Sequence, residues 1–463
     1  MTYSLSLLFA VTVRQHRLFL LLTVLFCSSF VCAQDATTPL LTGSWQATYS
    51  NPALYGNLPG RLVIGGPGVV NDLYSENLTY NDVVGMRSSD QRILNLVGLA
   101  GLLDERNELR DDLTVETLGL GLRGDRLSFG LYHRMRAYGE LDYPRNLIQV
   151  VAEGNAQFIG QTIEIAPRPV VTNYHEVGFG ASYRITDRLH LGARVKYLGG
   201  IADFRTDPNA SLGLTTGEEN FALTLEQQLV LNTSGVIEYD GLDATSFDFS
   251  FGQLRSERLF SGNSGVAFDV GVFVDLDNVR LQAAANDLGA SINWEEDVTT
   301  LTFSGSSAFS GLDVLEQLFE DTISFSGALD SLLTTFEPTE SAAPYSTSLP
   351  ASYLLGAEYD LTERLTAGVL LTYFDRPRTP ETAVAVSARY RLIDELTVGV
   401  NYNARRNVAA NLGLQLFSDF GPFQFLAATD NVLTVFRLKD SNKSGFRLGA
   451  TLVLGRIRER KGE

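Results

Sequence analysis

Hydrophobic and polar residues alternate along most of this chain with a period of two. In "VGFGASYRITDRLHLGARVKY" (177–197), Val177, Phe179, Ala181, Tyr183 and Ile185 share one parity, and Gly178, Gly180, Ser182 and Arg184 hold the other. After a short break, Leu189, Leu191, Ala193, Val195 and Tyr197 face one way, and His190, Gly192, Arg194 and Lys196 the other. The pattern returns over 353–374, with the break LTER in place of ITDR, and over 383–404. Near the end, Phe446, Leu448, Ala450, Leu452 and Leu454 oppose Arg447, Gly449 and Thr451. Similar hairpins read at 118–133, 266–285 and 412–428. Side chains on a strand point alternately to its two faces, so strict alternation predicts strands.

These arms run to about ten residues or more, whereas strands of soluble sheets usually have about 5–6. Long alternating arms joined by tight turns suit a transmembrane β-barrel, with the apolar parity toward lipid and the small or charged parity toward the lumen. Tyr183, Tyr197, Tyr359, Tyr373 and Tyr402 lie near strand ends, as an interfacial girdle requires. No uninterrupted apolar run of 18 residues follows residue 33, so no transmembrane helix is expected. A closed barrel is the other structure that pairs every backbone group inside a bilayer. The expected fold class is therefore all-β: a single transmembrane antiparallel β-barrel of about 14 strands. It has about 16 if the segment 231–262 adds a pair. The tight breaks belong at the periplasmic rim and the longer connections outside the cell.

Two stretches break the alternation. Over 90–105, Ile93, Leu96, Val97, Ala100 and Leu103 recur at helical spacing, and over 311–336 Leu312, Leu315, Leu318 and Phe319 do so. Both predict short helices in extracellular loops. The plain reading is packing within long loops. The sharper one makes Ile93, Leu96, Val97, Leu312, Leu315 and Phe319 an apolar landing surface for a hydrophobic ligand.

The first residues read as a cleaved export signal. Arg14, His16 and Arg17 precede the apolar "LFLLLTVLF" (18–26), and "VCA" (31–33) offers a cleavage site after Ala33. Both cysteines, Cys27 and Cys32, lie within it, so the mature chain holds no disulfide. Without Arg14 and Arg17, 34 basic side chains stand against 54 acidic ones, a net charge of −20. That balance argues against nucleic acid as a partner.

Chemistry is sparse. The mature chain has His133, His175 and His190, without HExxH or CxxC, so no enzyme, metal site or cofactor is expected. An esterase built from residues distant in sequence would need a serine that the sequence does not name. "RGD" (123–125) joins two alternating arms and reads as a turn, and "GGPG" (65–68) reads as a bulge that bends a first strand. Arg184, Arg194, Lys196, Arg389, Arg391 and Arg447 share the inward parity. They are candidate lumenal cations, either paired with acidic groups of the wall or plug, or placed to hold an anionic head group such as a carboxylate. Inward glycines leave room beside the wall for a plug or ligand.

"SNPALYG" (50–56) resembles the Asn-Pro-Ala segment near the mature N-terminus of long-chain fatty-acid-transporter-like barrels. It is joined in order by "AEGNAQFIG" (152–160), "YHEVGFGASY" (174–183), "GARVKYLGG" (192–200), "NDLGASINW" (286–294), "LPASYLLGAEY" (349–359) and "ATDNVLTVF" (428–436). Together these resemble an uncharacterised Gram-negative outer-membrane family of that architecture, over nearly the whole mature chain. The resemblance implies a barrel plugged by its N-terminus around Asn51, Pro52 and Ala53. With the export signal read at 1–33, this gives a plug at 34–60, a barrel at 61–455 and a polar periplasmic tail at 456–463; the resemblance implies no established substrate. The last strand lacks the aromatic final residue of many outer-membrane barrels. No energy-coupling box is visible near the mature N-terminus. The function this predicts is passive outer-membrane uptake of small hydrophobic or amphipathic molecules, with outer-membrane lipid around the barrel. The alternative is an adaptor barrel that docks secretion-machinery or surface proteins.

Overall fold

The computed structural model describes residues 37–88, 91–94, 98–218, 222–238, 246–247, 254–309, 338–376, 378–405, 408–432 and 441–457. The export signal, Leu96, Val97 and the 311–336 stretch with Leu312, Leu315 and Phe319 lie outside the described residues.

Fourteen strands close a ring. In chain order they are β1 (Gly60–Ser75), β2 (Arg106–Leu122), β3 (Leu127–Pro144), β4 (Arg168–Arg184), β5 (Leu189–Thr206), β6 (Ser264–Leu276) and β7 (Val279–Trp294). There follow β8 (Ala351–Asp360), β9 (Leu365–Asp375), β10 (Glu381–Ile393), β11 (Leu396–Arg405), β12 (Val408–Phe420), β13 (Phe423–Thr429) and β14 (Lys443–Arg456). Each pairs antiparallel with the next, and β14 returns to β1 with Leu454 opposite Leu62 and Lys443 opposite Tyr74. Closure removes every sheet edge, which a bilayer requires.

The two parities separate as the alternation predicts. Leu191, Val369 and Val400 point outward and are 44%, 43% and 47% exposed. Their inward neighbours Arg194, Gln282 and Asn401 are buried. A belt of half-exposed Leu, Val, Phe and Tyr around a polar interior is stable only against lipid, so the ring is a membrane barrel. In β1 the "GGPG" stretch is a bulge: the pairing with β14 slips between Gly65 and Gly68, and Gly66 takes φ 98°. That left-handed backbone favours glycine.

Six tight turns, at 123–126, 185–188, 277–278, 361–364, 394–395 and 421–422, share one rim with the start of β1 and the end of β14. The opposite, loop rim carries a second structure. Strands Ser211–Thr216, Leu223–Ser234 and Val298–Phe309 pair into a sheet that joins the upper end of β5. The helix Arg145–Glu153 packs against it, and Val150, Phe204, Leu225, Leu231, Leu301 and Phe303 form its core. Residues 223–234 therefore alternate like a barrel strand but stand outside the ring.

The helix expected over 90–105 is not what forms. Gln91–Leu94, which includes Ile93, is a strand paired with Val84–Ser88. A single 3-10 turn, Leu99–Gly101, follows. Gly98 at φ 90° breaks any helix continuing across it. Leu99 and Leu103 are buried against Leu78 and Tyr143 and pack the loop.

Candidate functional site

The lumen is filled from the turn rim to about mid-height by residues 38–58, three short helical turns (Thr38–Leu40, Trp45–Thr48 and Pro52–Asn57). Local rules explain them. The Ser44 hydroxyl accepts from Ala47 N at 3.1 Å and the Asn51 side chain accepts from Ala53 N at 3.0 Å, each capping a turn, and Pro52 occupies the first position where its missing N–H costs nothing. Trp45, Leu54, Tyr55 and Leu58 are fully buried although the segment is too short to have a core. Their core is the inside of the barrel.

Inward glycines make the seat. A Cβ built on Gly119 would lie 2.1 Å from the Trp45 ring, and one on Gly130 2.1 Å from the Tyr55 ring. One on Gly192 would lie 2.2 Å from Ala53 N, and one on Gly271 2.0 Å from the Asn51 side chain. Only a hydrogen leaves room there. Wall groups also take the segment's backbone carbonyls. Arg194 donates to Thr48 O (2.9 Å) and Tyr49 O (2.6 Å), Gln282 to Pro39 O (2.7 Å), and Asn286 to Ser50 O (2.9 Å). Arg389 donates to Leu40 O, and Asn51 donates to Val272 O at 3.1 Å. Of the Asn-Pro-Ala tripeptide, Asn51 bonds the wall, Pro52 starts the turn and Ala53 fits against Gly192.

Above this segment lies a buried charge network. Asp269 accepts from Arg194 Nε at 2.5 Å and from Lys196 Nζ at 2.9 Å. Lys196 also reaches Asp287 at 2.7 Å, and Asp287 binds Arg136 Nη1 at 3.1 Å. Glu176 accepts from Arg134 (2.8 Å), Arg136 (3.3 Å) and the Tyr132 hydroxyl (2.5 Å). Across the lumen Arg447 pairs with Glu116 at 2.5 Å. Charges removed from water need such partners, because their desolvation is otherwise prohibitive.

The candidate lumenal cations thus divide. Arg194, Lys196, Arg389 and Arg447 are buried and paired on the wall, Arg389 with Glu358. Arg184 and Arg391 sit in the last turn of their strands at the turn rim, with Arg391 exposed to solvent. Arg134, Arg136, Glu176, Asp269 and Asp287 are further members of the network. Arg134 and Arg136 were legible, since they continue the inward parity of Gly130 and Tyr132. Asp287 was not: its φ of 60° shifts the parity of β7 locally. His133 and His175, distant in sequence, meet on the outer wall with Nε2 and Nδ1 3.0 Å apart. His175 Nε2 lies 2.8 Å from Arg255 O, so it donates and holds segment 254–260 against the barrel.

Two cavities flank the network. One of about 210 Å³ lies between the N-terminal segment, at Tyr49 and Ser50, and the walls. Arg134, Arg136, Lys196 and Asp287 line one side of it, and Leu354, Leu370, Phe374 and Ala385 the other. The second, of about 730 Å³, opens at the loop rim. Arg106, Arg110, Arg168 and Arg378 line it together with Glu76, Asp104, Glu105, Glu108, Glu140, Asp142 and Glu381. The lining of this loop-rim cavity is therefore ionic. Among the described residues, no cluster of His, Cys, Asp and Glu is arranged to hold a metal ion.

Comparison with curated protein sequences finds no match. Among solved structures, the chain is similar to a FadL homologue of Pseudomonas aeruginosa at 13% identity, covering 91% of this chain and 99% of that one, with a TM-score of 0.42. It is similar to the P. putida toluene transporter TodX at 12% identity, covering 87% and 90%, with a TM-score of 0.37. It is also similar to the COG4313 outer membrane channel of Pseudomonas putida F1 at 10% identity, covering 86% and 98%, with a TM-score of 0.31. Residues 52–430 match the profile of a family of unknown function, DUF5723. The match spans most of the sequence, and the chain belongs to that family.

Proposed function

We propose that this protein is a passive outer-membrane channel for small hydrophobic or amphipathic molecules, with residues 37–58 as its plug. The turn rim is periplasmic and the loop rim extracellular, following the rule that barrel turns are short on the periplasmic side. The observation that carries the reading is the 210 Å³ cavity resting on the N-terminal segment, with one largely apolar wall and one wall of charged side chains, Arg134, Arg136 and Lys196 beside Asp287. A structural barrel needs no such cavity, and its polar and greasy halves match a molecule that is itself divided. The ligand passes the loop-rim mouth, rests above the plug, and leaves when the plug gives way.

The test is uptake into proteoliposomes, with the full chain compared with a chain lacking residues 37–58. The intact protein passes small amphipathic solutes slowly and inorganic ions hardly at all, and the shortened one conducts ions freely. Equal ion conductance from both proteins overturns the plug. No uptake of any hydrophobic or amphipathic solute by the intact protein, together with co-purification of a secretion protein, turns the reading to an adaptor barrel.

A further inference from the structure

We infer that His133 and His175 form a proton-counting clasp, which holds segment 254–261 on the outer wall with no added proton or one, and lets it go on taking a second. The inference is independent of what the barrel carries. Three links run from β2 to the segment. Thr117 Oγ lies 2.7 Å from His133 Nδ1, His133 Nε2 lies 3.0 Å from His175 Nδ1, and His175 Nε2 lies 2.8 Å from Arg255 O. A carbonyl only accepts, so His175 Nε2 carries a hydrogen. In the neutral pair His175 Nδ1 is then bare and accepts from His133 Nε2, and His133 Nδ1 accepts from the Thr117 hydroxyl.

One added proton fits this chain. Thr117 Oγ also lies 2.8 Å from His133 O, so its hydroxyl turns to that carbonyl and accepts from a protonated His133 Nδ1. Every link survives. A second proton has only His175 Nδ1 left to it, where it meets the His133 Nε2 hydrogen across 3.0 Å, between two cationic rings. His175 is 1% exposed, so water reaches its charge only when the segment above it lifts.

The charged groups around the pair do not cancel two rings. Glu176, Arg134 and Lys196 turn to the lumen and bind one another there, and Glu116, beside Thr117, binds Arg447. On the segment, Arg258 is paired with Asp297, Arg255 adds a further cation, and Glu257 is the acid that acts on His175. One carboxylate favours the first proton and leaves the second uncompensated. The other holds on the segment are neutral. Leu259 O rests on Gly199, where a Cβ would lie 2.4 Å from it. Phe260 lies 5.5 Å from the Tyr197 ring and is 76% exposed, and the Ser261 hydroxyl donates to Gly200 O at 3.3 Å. The strap therefore stays down at neutral pH and leaves as pH falls, lifting Phe260 from the tyrosine girdle and baring the wall of β5.

The experiment measures hydrogen exchange in the full chain in detergent from about pH 8 to about pH 4, corrected for the intrinsic rate at each pH, a range that spans histidine titration. The amides of Arg258, Leu259 and Ser261, bonded within the segment, report its release. In the parent protein their exchange accelerates by about tenfold or more toward acid. In His175→Gln, whose amide nitrogen stands where His175 Nε2 stands and takes no proton, they stay protected throughout. In His175→Ala they exchange fast at every pH. Heat-modifiable migration on gels shows each barrel folded. In histidine-labelled protein, with three histidines in the mature chain, ring resonances show one of the pair protonating while the segment is still protected. Protection that is independent of pH in the parent, or acid release equal in His175→Gln, overturns the clasp. Release that accompanies the first proton overturns the proton count.

Discussion

Filling the seat under the plug should release it. In Gly130→Val the new Cβ falls 2.1 Å from Tyr55 Cε1, and in Gly119→Val 2.1 Å from Trp45 Cζ2. Carbon atoms rest at about 3.5–4.0 Å, so each ring must retreat by roughly 1.5 Å. The wall has no reason to yield, because β-branched residues suit strands and both positions are paired on each side. Trp45 and Tyr55 are fully buried. Each covers about 150–250 Å², worth about 4–6 kcal/mol at ~25 cal/mol per Å². Losing even about 3 kcal/mol shifts plug occupancy more than a hundredfold, at about 1.4 kcal/mol per tenfold. The double variant should still migrate as a folded barrel, conduct ions in planar bilayers, and expose residues 37–58 to added protease. Ala388→Val, on the outer face of β10, should do none of this. A double variant that is folded, closed and protease-resistant would refute the argument that the inward glycines exist to seat these rings.

Other consequences follow from the same geometry. Asp269→Asn removes the shared partner of Arg194 and Lys196, both fully enclosed, and should cost about 3–5 kcal/mol, read as a lower temperature for the heat-modifiable gel shift. Leu371→Arg places a guanidinium on the lipid face and should cost up to about 2–4 kcal/mol in guanidinium unfolding from vesicles. The inward Thr372→Arg, one residue away, should cost less than Leu371→Arg, and equal costs would contradict the assigned parity. His175→Ala should free the segment 254–260, so that trypsin cuts at Arg255 or Arg258 faster than in the parent protein.

The alternation was legible because burial in a barrel wall obeys one rule at every second residue, whatever the neighbouring strand. Val369 and Leu371 are outward and Gly368 and Leu370 inward by counting alone. What counting cannot supply is the partner. "LTLEQQLVLNTS" (223–234) alternates as well as any barrel arm, yet its neighbours Val298–Phe309 and Ser211–Thr216 take it into the sheet above the rim. The helical spacing of Ile93 and Ala100 was likewise genuine as a pattern, but Gly98 and the pairing of Gln91–Leu94 with Val84–Ser88 override it. Of the site, the side-chain types on the inward parity were visible and their ion pairs were not. Lys196 meets Asp287 through a pairing set by register and by one bulge, and no local window contains both residues.

The plug and the charge network depend on each other. Arg194 has Asp269 as its acid, but Thr48 O, Tyr49 O and the Tyr55 hydroxyl take its other donors. All four acceptors are dry in the closed state. If the segment leaves, three of those acceptors go with it, and water must enter to solvate the guanidinium. Water at that level also weakens the attraction of Lys196 for Asp269 and Asp287, because the same ions interact far less strongly in a high-dielectric medium. Opening is thus cooperative: loss of the segment hydrates the network, and a hydrated network no longer presents the dry, ordered surface on which the segment packs. A barrel with apolar side chains inside would lack this coupling, since its lumen would stay dry whether the plug was in or out. The polar interior of this one ties the segment and the network into a single packed unit, in which neither stays dry without the other.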